Sequence, residues 1–406
     1  MPPRLSHRKS TTGCLRCKSR KVKCDEKRPR CTHCGRHSIQ CEYPSLSTRI
    51  YDPSQFKAVH ARGRRAAEAP KLEEPSPHGG LPVLQIRLMH HWVTATAATM
   101  SAADLPAVHE MWSVAVPEMA FEYEPLLHTL LALSASHRAT LFPDQANSLR
   151  PIQHAYIDFA LQEHRPMTAD LDGNTSEAVC ANAMLLSLYT LFLRSEPSSD
   201  SYEPPLLWLS VARGIRTIMR TVFHQLIQSD SKLNPLLLAK PLLFHEGLSN
   251  FKGTAKPFHF ILEYRQDEEN IDEKTQKAYS ESVDYLECLY TASKSPTSNW
   301  VLRKMFTGFP PMVPQFYELV TEKRPRALVI LGYLFALAKK VENVWWLQGI
   351  PEREVRGIES ILPAEWKWTM VWPLNLITED PSVTSEEGNI ATATPSATSN
   401  IAEASS

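Results

Sequence analysis

Six cysteines crowd between residues 14 and 41, and the other two of the chain's 8 lie far downstream at Cys180 and Cys288. The six form an internal repeat: Cys14-x2-Cys17-x6-Cys24, a six-residue spacer, then Cys31-x2-Cys34-x6-Cys41. So short a segment has too little core to fold by apolar burial alone. The N-terminus, MPPRLSHRKSTTG, is basic and has no apolar signal run. That predicts a reducing compartment, where thiols bind metal rather than pair as disulfides. A structural zinc takes four thiolates, and each half offers three. Two zincs need eight ligand places, which six sulphurs fill if one cysteine from each half bridges both metals. The first of each half, Cys14 and Cys31, is the natural bridge. Each C-x2-C step lets two thiolates grip one metal across a turn, and a short helix in the next six residues would return the third thiolate. Pro29 stiffens the spacer. A disulfide knot and a single zinc with spare thiols are the alternatives. His33 and His37 read as surface residues, because six sulphurs already complete the site.

Charge coincides with the cysteines. Residues 1–66 carry 17 Lys and Arg against 4 Asp and Glu, whereas the remaining 340 carry 27 against 40, so a formal net charge of +0 hides two opposite poles. A basic pole on a metal-stapled module predicts a polyanionic partner. Lys18, Arg20, Lys21 and Lys23 lie between the second and third cysteines, whereas the second half has only Arg36 and His37 there. The first half is therefore the expected DNA-facing one. Six thiolates and two zincs leave the metal core at about −2, which the basic surface outweighs, so phosphate is still attracted.

This stretch resembles the fungal zinc-cluster DNA-binding domain, with two zincs and six cysteines, of galactose-utilisation activators. The likeness covers the six cysteines, the basic block, Pro29 two before the fourth cysteine and Tyr43 two after the sixth. It implies a nuclear, sequence-specific transcription factor of RNA polymerase II genes. It also implies base contacts, often to CGG triplets, from Lys21 with Arg20 beside it, and phosphate contacts from Lys18 and Lys23. The zinc-cluster domain is expected at 10–45 and a flexible basic, Pro-rich linker at 46–83, where Pro53, Pro70, Pro75, Pro77 and Pro82 leave no heptad seam. Pairing of two chains is then expected through the C-terminal domain. Arg62, Arg64 and Arg65 add a small basic patch of the nuclear-import kind.

From 84 to 376 the pattern is that of a large all-α regulatory domain. Leu84, Leu88, Trp92 and Ala95 form one stripe, Leu126, Leu127, Leu130, Leu131 and Leu133 another, and Trp208, Val211, Ile215, Ile218 and Val222 a third. Ala183 to Leu193 and Ala327 to Ala338 are apolar nearly all round and predict central helices. The longest apolar run, Ala327 to Ala338, is 12 residues and ends at Lys339 and Lys340. A membrane span needs about 18. A soluble chain with no membrane partner is expected. An exposed acidic loop is expected at Asp267 to Glu273, and a disordered acidic tail at 377–406. Cys180 and Cys288 read as small buried hydrophobes. The segments PLLHTLLALSASHRA (Pro125 to Ala139), HAYIDFALQEHR (His154 to Arg165), WLSVARGIRTIM (Trp208 to Met219) and WWLQG (Trp345 to Gly349) resemble the helical domain of fungal sterol uptake control factors. That likeness implies control of a metabolic or secondary-metabolite gene cluster or, alternatively, lipid sensing with a small lipophilic ligand, for which Trp345, Trp346 and Trp372 are candidate pocket residues. No phosphate-binding Gly-rich loop, nucleophile elbow or HExxH pair appears, and the adjacent His90 and His91 point apart on a helix, so a non-enzyme is expected.

Overall fold

The computed structural model describes residues 14–20, 22, 24, 25, 27, 30–37 and 41, then 83–167, 175–196, 201–239, 256–264, 271–294 and 299–378. The chain divides into two units, Met1–Ala67 and Glu68–Ser406. Apart from their edges, the expected linker and acidic tail lie outside the described residues. The first unit has two short helices, α1 (Leu15–Ser19) and α2 (Thr32–Arg36). Among the described residues there is no strand.

The second unit is largely helical in its described residues. Its helices of eight residues or more are α3 (Val83–His91), α4 (Glu124–Leu141), α5 (Ala146–Met167), α6 (Ser176–Phe192), α7 (Leu206–Gln228), α8 (Glu273–Lys294), α9 (Asn299–Met312), α10 (Pro325–Ala338), α11 (Ile350–Ile361) and α12 (Val371–Thr378). The first begins one residue before the expected Leu84 and the last ends two after Leu376. Proline sits at the first turn of α4, α10 and α11, where its missing N–H costs nothing. The expected stripes face inward: Leu88, Trp92, Leu126, Leu130, Trp208, Ile218 and Val222 are buried. Every residue of α10 from Arg326 to Ala338 is buried, and in α6 only Glu177 and Met184 are not. Ser176–Ser195 is long and apolar enough to cross a membrane, yet 83% of its apolar window is buried among the other helices, as befits a core helix. Cys180 and Cys288 are buried too. The acidic loop needs correction at its end. Residues 267–270 lie outside the described residues, but Asp272 caps α8, accepting the Thr275 N–H at 2.8 Å, and Glu273 is the helix's first residue. Hydrogen bonding to Thr275 holds the Asp272 carboxyl below its usual range.

Buried charges tie distant segments together. Arg326, 1% exposed at the start of α10, donates to the carbonyls of Ile261 and Tyr264 and lies over the rings of Tyr279 and Trp366. Glu354 in α11 is fully buried and accepts from Arg194 Nε at 2.6 Å and Tyr202 Oη at 2.7 Å. The pair pins the connection between α6 and α7 onto α11. A buried carboxylate needs such partners, because an unpaired one costs several kcal/mol (about 3–5).

The Tyr202 ring occupies the space that a Cβ at residue 357 would fill. Gly357→Ala therefore displaces a hydrogen-bonded ring, and urea denaturation of the full chain is expected to show a loss of about 1–3 kcal/mol. Gly332→Ala meets only the flexible end of Met370 and is expected to cost less. A second expectation concerns pH. His137 stacks on Trp345 at 5.1 Å, His164 pairs with Tyr123 Oη at 2.8 Å, and burial pushes both rings from 6.5 down to about 4. The unfolded chain takes up these protons below 6.5 and the folded chain refuses them until about 4. Stability should therefore fall as pH drops through that window. Urea titrations at stepped pH check this, and His137→Gln should flatten the slope.

Candidate metal centre and nucleic-acid interface

The two halves of the cysteine repeat fold alike. In the first, the Cys17 N–H points at Cys14 Sγ at 3.4 Å and the Cys14 N–H at Cys24 Sγ at 3.4 Å. In the second, the Cys34 N–H points at Cys31 Sγ and the Cys31 N–H at Cys41 Sγ, both at 3.3 Å. The helices differ from the sequence expectation: each starts directly after the first cysteine and contains the second. The short helix therefore forms the C-x2-C step itself. The physical reason is capping, since the sulphur of Cys14 or Cys31 accepts an otherwise orphaned N–H of the first turn.

The sulphurs converge. Cys14 Sγ lies 3.8 Å from Cys31 Sγ and 3.7 Å from Cys34 Sγ, and Cys17 Sγ lies 3.7 Å from Cys31 Sγ. No disulfide forms, and all eight cysteines are free. Two sets of four arise, Cys14, Cys17, Cys24 and Cys31, and Cys14, Cys31, Cys34 and Cys41, with the sulphurs of each set within 4.8 Å of one another. Cys14 and Cys31 belong to both. Four sulphurs about 2.3 Å from a central zinc stand about 3.8 Å apart along tetrahedral edges. The donor set fits two zincs in chemistry, number and spacing. Without a metal, burial raises the Cys14 and Cys17 thiols and pushes Cys34 up to about 12, whereas backbone N–H donors lower Cys31 and Cys41. A divalent cation bound among these sulphurs would favour their thiolate forms. His33 and His37 lie side by side on α2, their rings 5.0 Å apart, and belong to neither set.

Two features were not read from the sequence. Asp25 Oδ1 accepts the Thr32 N–H at 3.0 Å and Oδ2 the Thr32 hydroxyl at 2.5 Å, so the residue after Cys24 caps α2 and ties the halves together. An Asp in a spacer leading into a helix is the signal that could have found it. The other is Arg16, exposed on α1, whose carbonyl accepts the Arg20 N–H at 3.1 Å. Its position inside the C-x2-C step kept it out of the basic block. Of that block, Arg20 is exposed at the end of α1 and Lys18 lies within α1, while Lys21 and Lys23, like Pro29 and Tyr43, fall outside the described residues.

In the helical unit, the candidate pocket tryptophans are packing residues. Trp345 and Trp346 are buried and donate to the hydroxyl and carbonyl of Thr99, both at 2.9 Å, and Trp372 stacks on Tyr333 at 5.1 Å. A cavity of about 110 Å³ lies elsewhere, lined by residues that include Thr140, Arg150, Gln153 and Phe192.

Comparison with known proteins follows the same division. Residues 12–50 match the fungal Zn(2)-Cys(6) binuclear cluster domain, which binds two zinc ions, and residues 87–282 match the fungal specific transcription factor domain. The chain is 31% identical over 328 residues to the Zn(2)-C6 fungal-type transcription factor afumD of Aspergillus fumigatus, covering 80% of this chain and 84% of that protein. It is 28% identical over 447 residues to a Zn(2)-C6 fungal-type transcription factor of Gibberella zeae, covering 94% and 88%. Sterol uptake control protein 2 of Saccharomyces cerevisiae is 29% identical over 242 residues, 54% of this chain but 26% of that protein. With its paired sulphur sets, its basic N-terminal unit and these relatives, the chain belongs to the Zn(2)-C6 fungal-type transcription factors and is a zinc-dependent, DNA-binding regulator of transcription.

Proposed function

We propose that this chain acts in the nucleus as a sequence-specific regulator of RNA polymerase II genes belonging to one fungal metabolic or secondary-metabolite gene cluster. The observation that carries the DNA-binding part is the pair of four-sulphur sets sharing Cys14 and Cys31, with Arg16 and Arg20 exposed beside them. In this reading all six cysteines of the repeat are ligands and Cys14 and Cys31 bridge the two metals. Bound zinc supplies the cross-link that lets so small a unit fold. The backbone N–H donors orient the sulphurs, and Asp25 fixes α2 against the first half. Arg20 and Lys21 read guanine edges of CGG-containing sites, while Arg16, Lys18 and Lys23 hold phosphates. Two chains pair, where pairing occurs, through the helical unit. The non-enzymatic reading rests on both matched domains being of transcription-factor type.

A second reading, lipid sensing, draws on the likeness to sterol uptake control protein 2 over 54% of the chain. Lipid extraction and mass spectrometry of the purified full chain decides between the two. A stoichiometric sterol would establish the second reading. For the target genes, genome-wide occupancy mapping with deletion transcriptomics is the test, and occupancy scattered without a shared cluster would refute the first.

Metal analysis of the full chain should give two zincs, and Cys14→Ser, which removes a shared ligand, should lose more metal than Cys24→Ser, which removes an unshared one. A single zinc in the parent chain would refute the bridged arrangement. For DNA contacts, Lys21→Ala should relax preference at the guanine it reads, costing about 1–3 kcal/mol there, while Lys18→Ala should weaken all sites alike and lower the salt slope by about 1. Binding titrations on matched and mismatched duplexes check the pair, and equal uniform losses from both changes would show the split to be wrong.

A further inference from the structure

Ser19 closes α1 in the middle of the basic block, and nothing in the DNA-contact scheme uses it. Its side chain is exposed, whereas Cys17 two residues earlier is fully buried among the sulphurs. The hydroxyl makes a bond within its own helix, donating to the Arg16 carbonyl at 3.0 Å. Around it the sequence runs Arg16-Cys17-Lys18-Ser19-Arg20-Lys21, with cations three and one residues before and one and two after. Such a pattern complements the acidic groove of a basic-directed serine kinase.

We propose that Ser19 is a phosphoryl-acceptor site for a basic-directed, ATP-dependent serine kinase, and that its phosphorylation weakens DNA binding without disturbing the metal cluster. This rests on the DNA-binding reading above. In the transfer, Ser19 Oγ forms the new bond to the γ-phosphorus of ATP and the bond to the β–γ bridging oxygen breaks. ADP leaves with that electron pair, and the hydroxyl proton passes to the kinase's base. The product carries about −1.5 to −2 charge at neutral pH and three acceptor oxygens. Because Ser19 is exposed where Cys17 is buried, the phosphate projects away from the sulphurs. It stands among the cations that DNA would otherwise use, so it competes with DNA phosphate within the same molecule.

The magnitude follows from counterion release. Tying up about two cations removes about two phosphate contacts, which lowers the salt slope by about 1.8 and weakens binding roughly 30-fold at 150 mM salt.

The test uses the zinc-loaded full chain, the catalytic subunit of a basic-directed kinase and ATP. Mass spectrometry maps the site, metal analysis counts zinc, and fluorescence anisotropy on a CGG-containing duplex across a salt series gives affinity and slope. The expected result is phosphate on Ser19, two zincs retained, a slope lower by about 1.8 and roughly 30-fold weaker binding at 150 mM. Ser19→Ala should take no phosphate there and bind as the parent does, and Ser19→Glu should keep its zinc and show a smaller loss. No phosphate on Ser19, an unchanged slope after phosphorylation, or loss of zinc along with affinity would each overturn the proposal. If the unmodified parent shows no salt-dependent DNA binding, the DNA reading itself fails and the proposal falls with it, even where Ser19 accepts phosphate.

Discussion

The crowding of six sulphurs is the constraint on which the N-terminal unit depends. Five of them are buried to 5% exposure or less, and among the described residues the cluster they form contains no other buried hydrophobic side chain. Among those residues apolar burial therefore contributes little. Left as thiols, the sulphurs offer only weak hydrogen bonds, and left as thiolates they repel. Two dications would turn that repulsion into attraction, which couples metal binding to folding. Cys14 and Cys31 belong to both sets of four sulphurs, so two centres fit within 28 residues.

The helical unit solves the opposite problem. It has apolar surface in abundance, and two helices, α6 and α10, are buried nearly all round. Such a core specifies compactness more than it specifies arrangement. Arrangement is set by polar groups that need particular partners. Arg326 takes the carbonyls of Ile261 and Tyr264, and Lys304 takes those of Leu236 and Ala239. Burial pushes the Lys304 amine down to about 8, and the two carbonyls accept its N–H bonds and fix its position. The four indole N–H groups of Trp92, Trp112, Trp345 and Trp346 end on Trp112 O, Ser101 O and the two oxygens of Thr99, which locks the turn after Trp92 to a segment 246 residues away.

What the sequence revealed divides along the same line. Local periodicities were legible: the repeated C-x2-C-x6-C, the inward stripes through Leu88 and Trp208, and the all-round apolar helices. Each depends on spacing within a few turns of chain. Capping by Asp272 and Asp25 was missed, although it too is local, because acidic residues in a charged run read as solvent-facing. The tie of Glu354 to Arg194 was beyond reach, since its partners stand 160 residues apart and neither sits in a distinctive pattern. Trp345 and Trp346 show the limit from the other side. An aromatic pair suggests a pocket wall, but composition cannot tell a ring that lines a space from one that fills it. The hydrogen bonds to Thr99 decide it.

The distribution of charge links the two units without any contact between them being needed. Residues 67–406 carry an excess of acid, which disfavours a polyanion, whereas the basic N-terminal segment attracts one. A unit of this size reaches few phosphates, and counterion release then makes its binding steep in salt and sensitive to each cation. Such a design gains leverage where a bulkier interface would have redundancy: adding or removing one or two charges in the basic block moves affinity by an order of magnitude or so. In the proposed scheme the sulphurs that hold α1 lie apart from the exposed cations Arg16 and Arg20, so binding could be tuned without touching the ligand set.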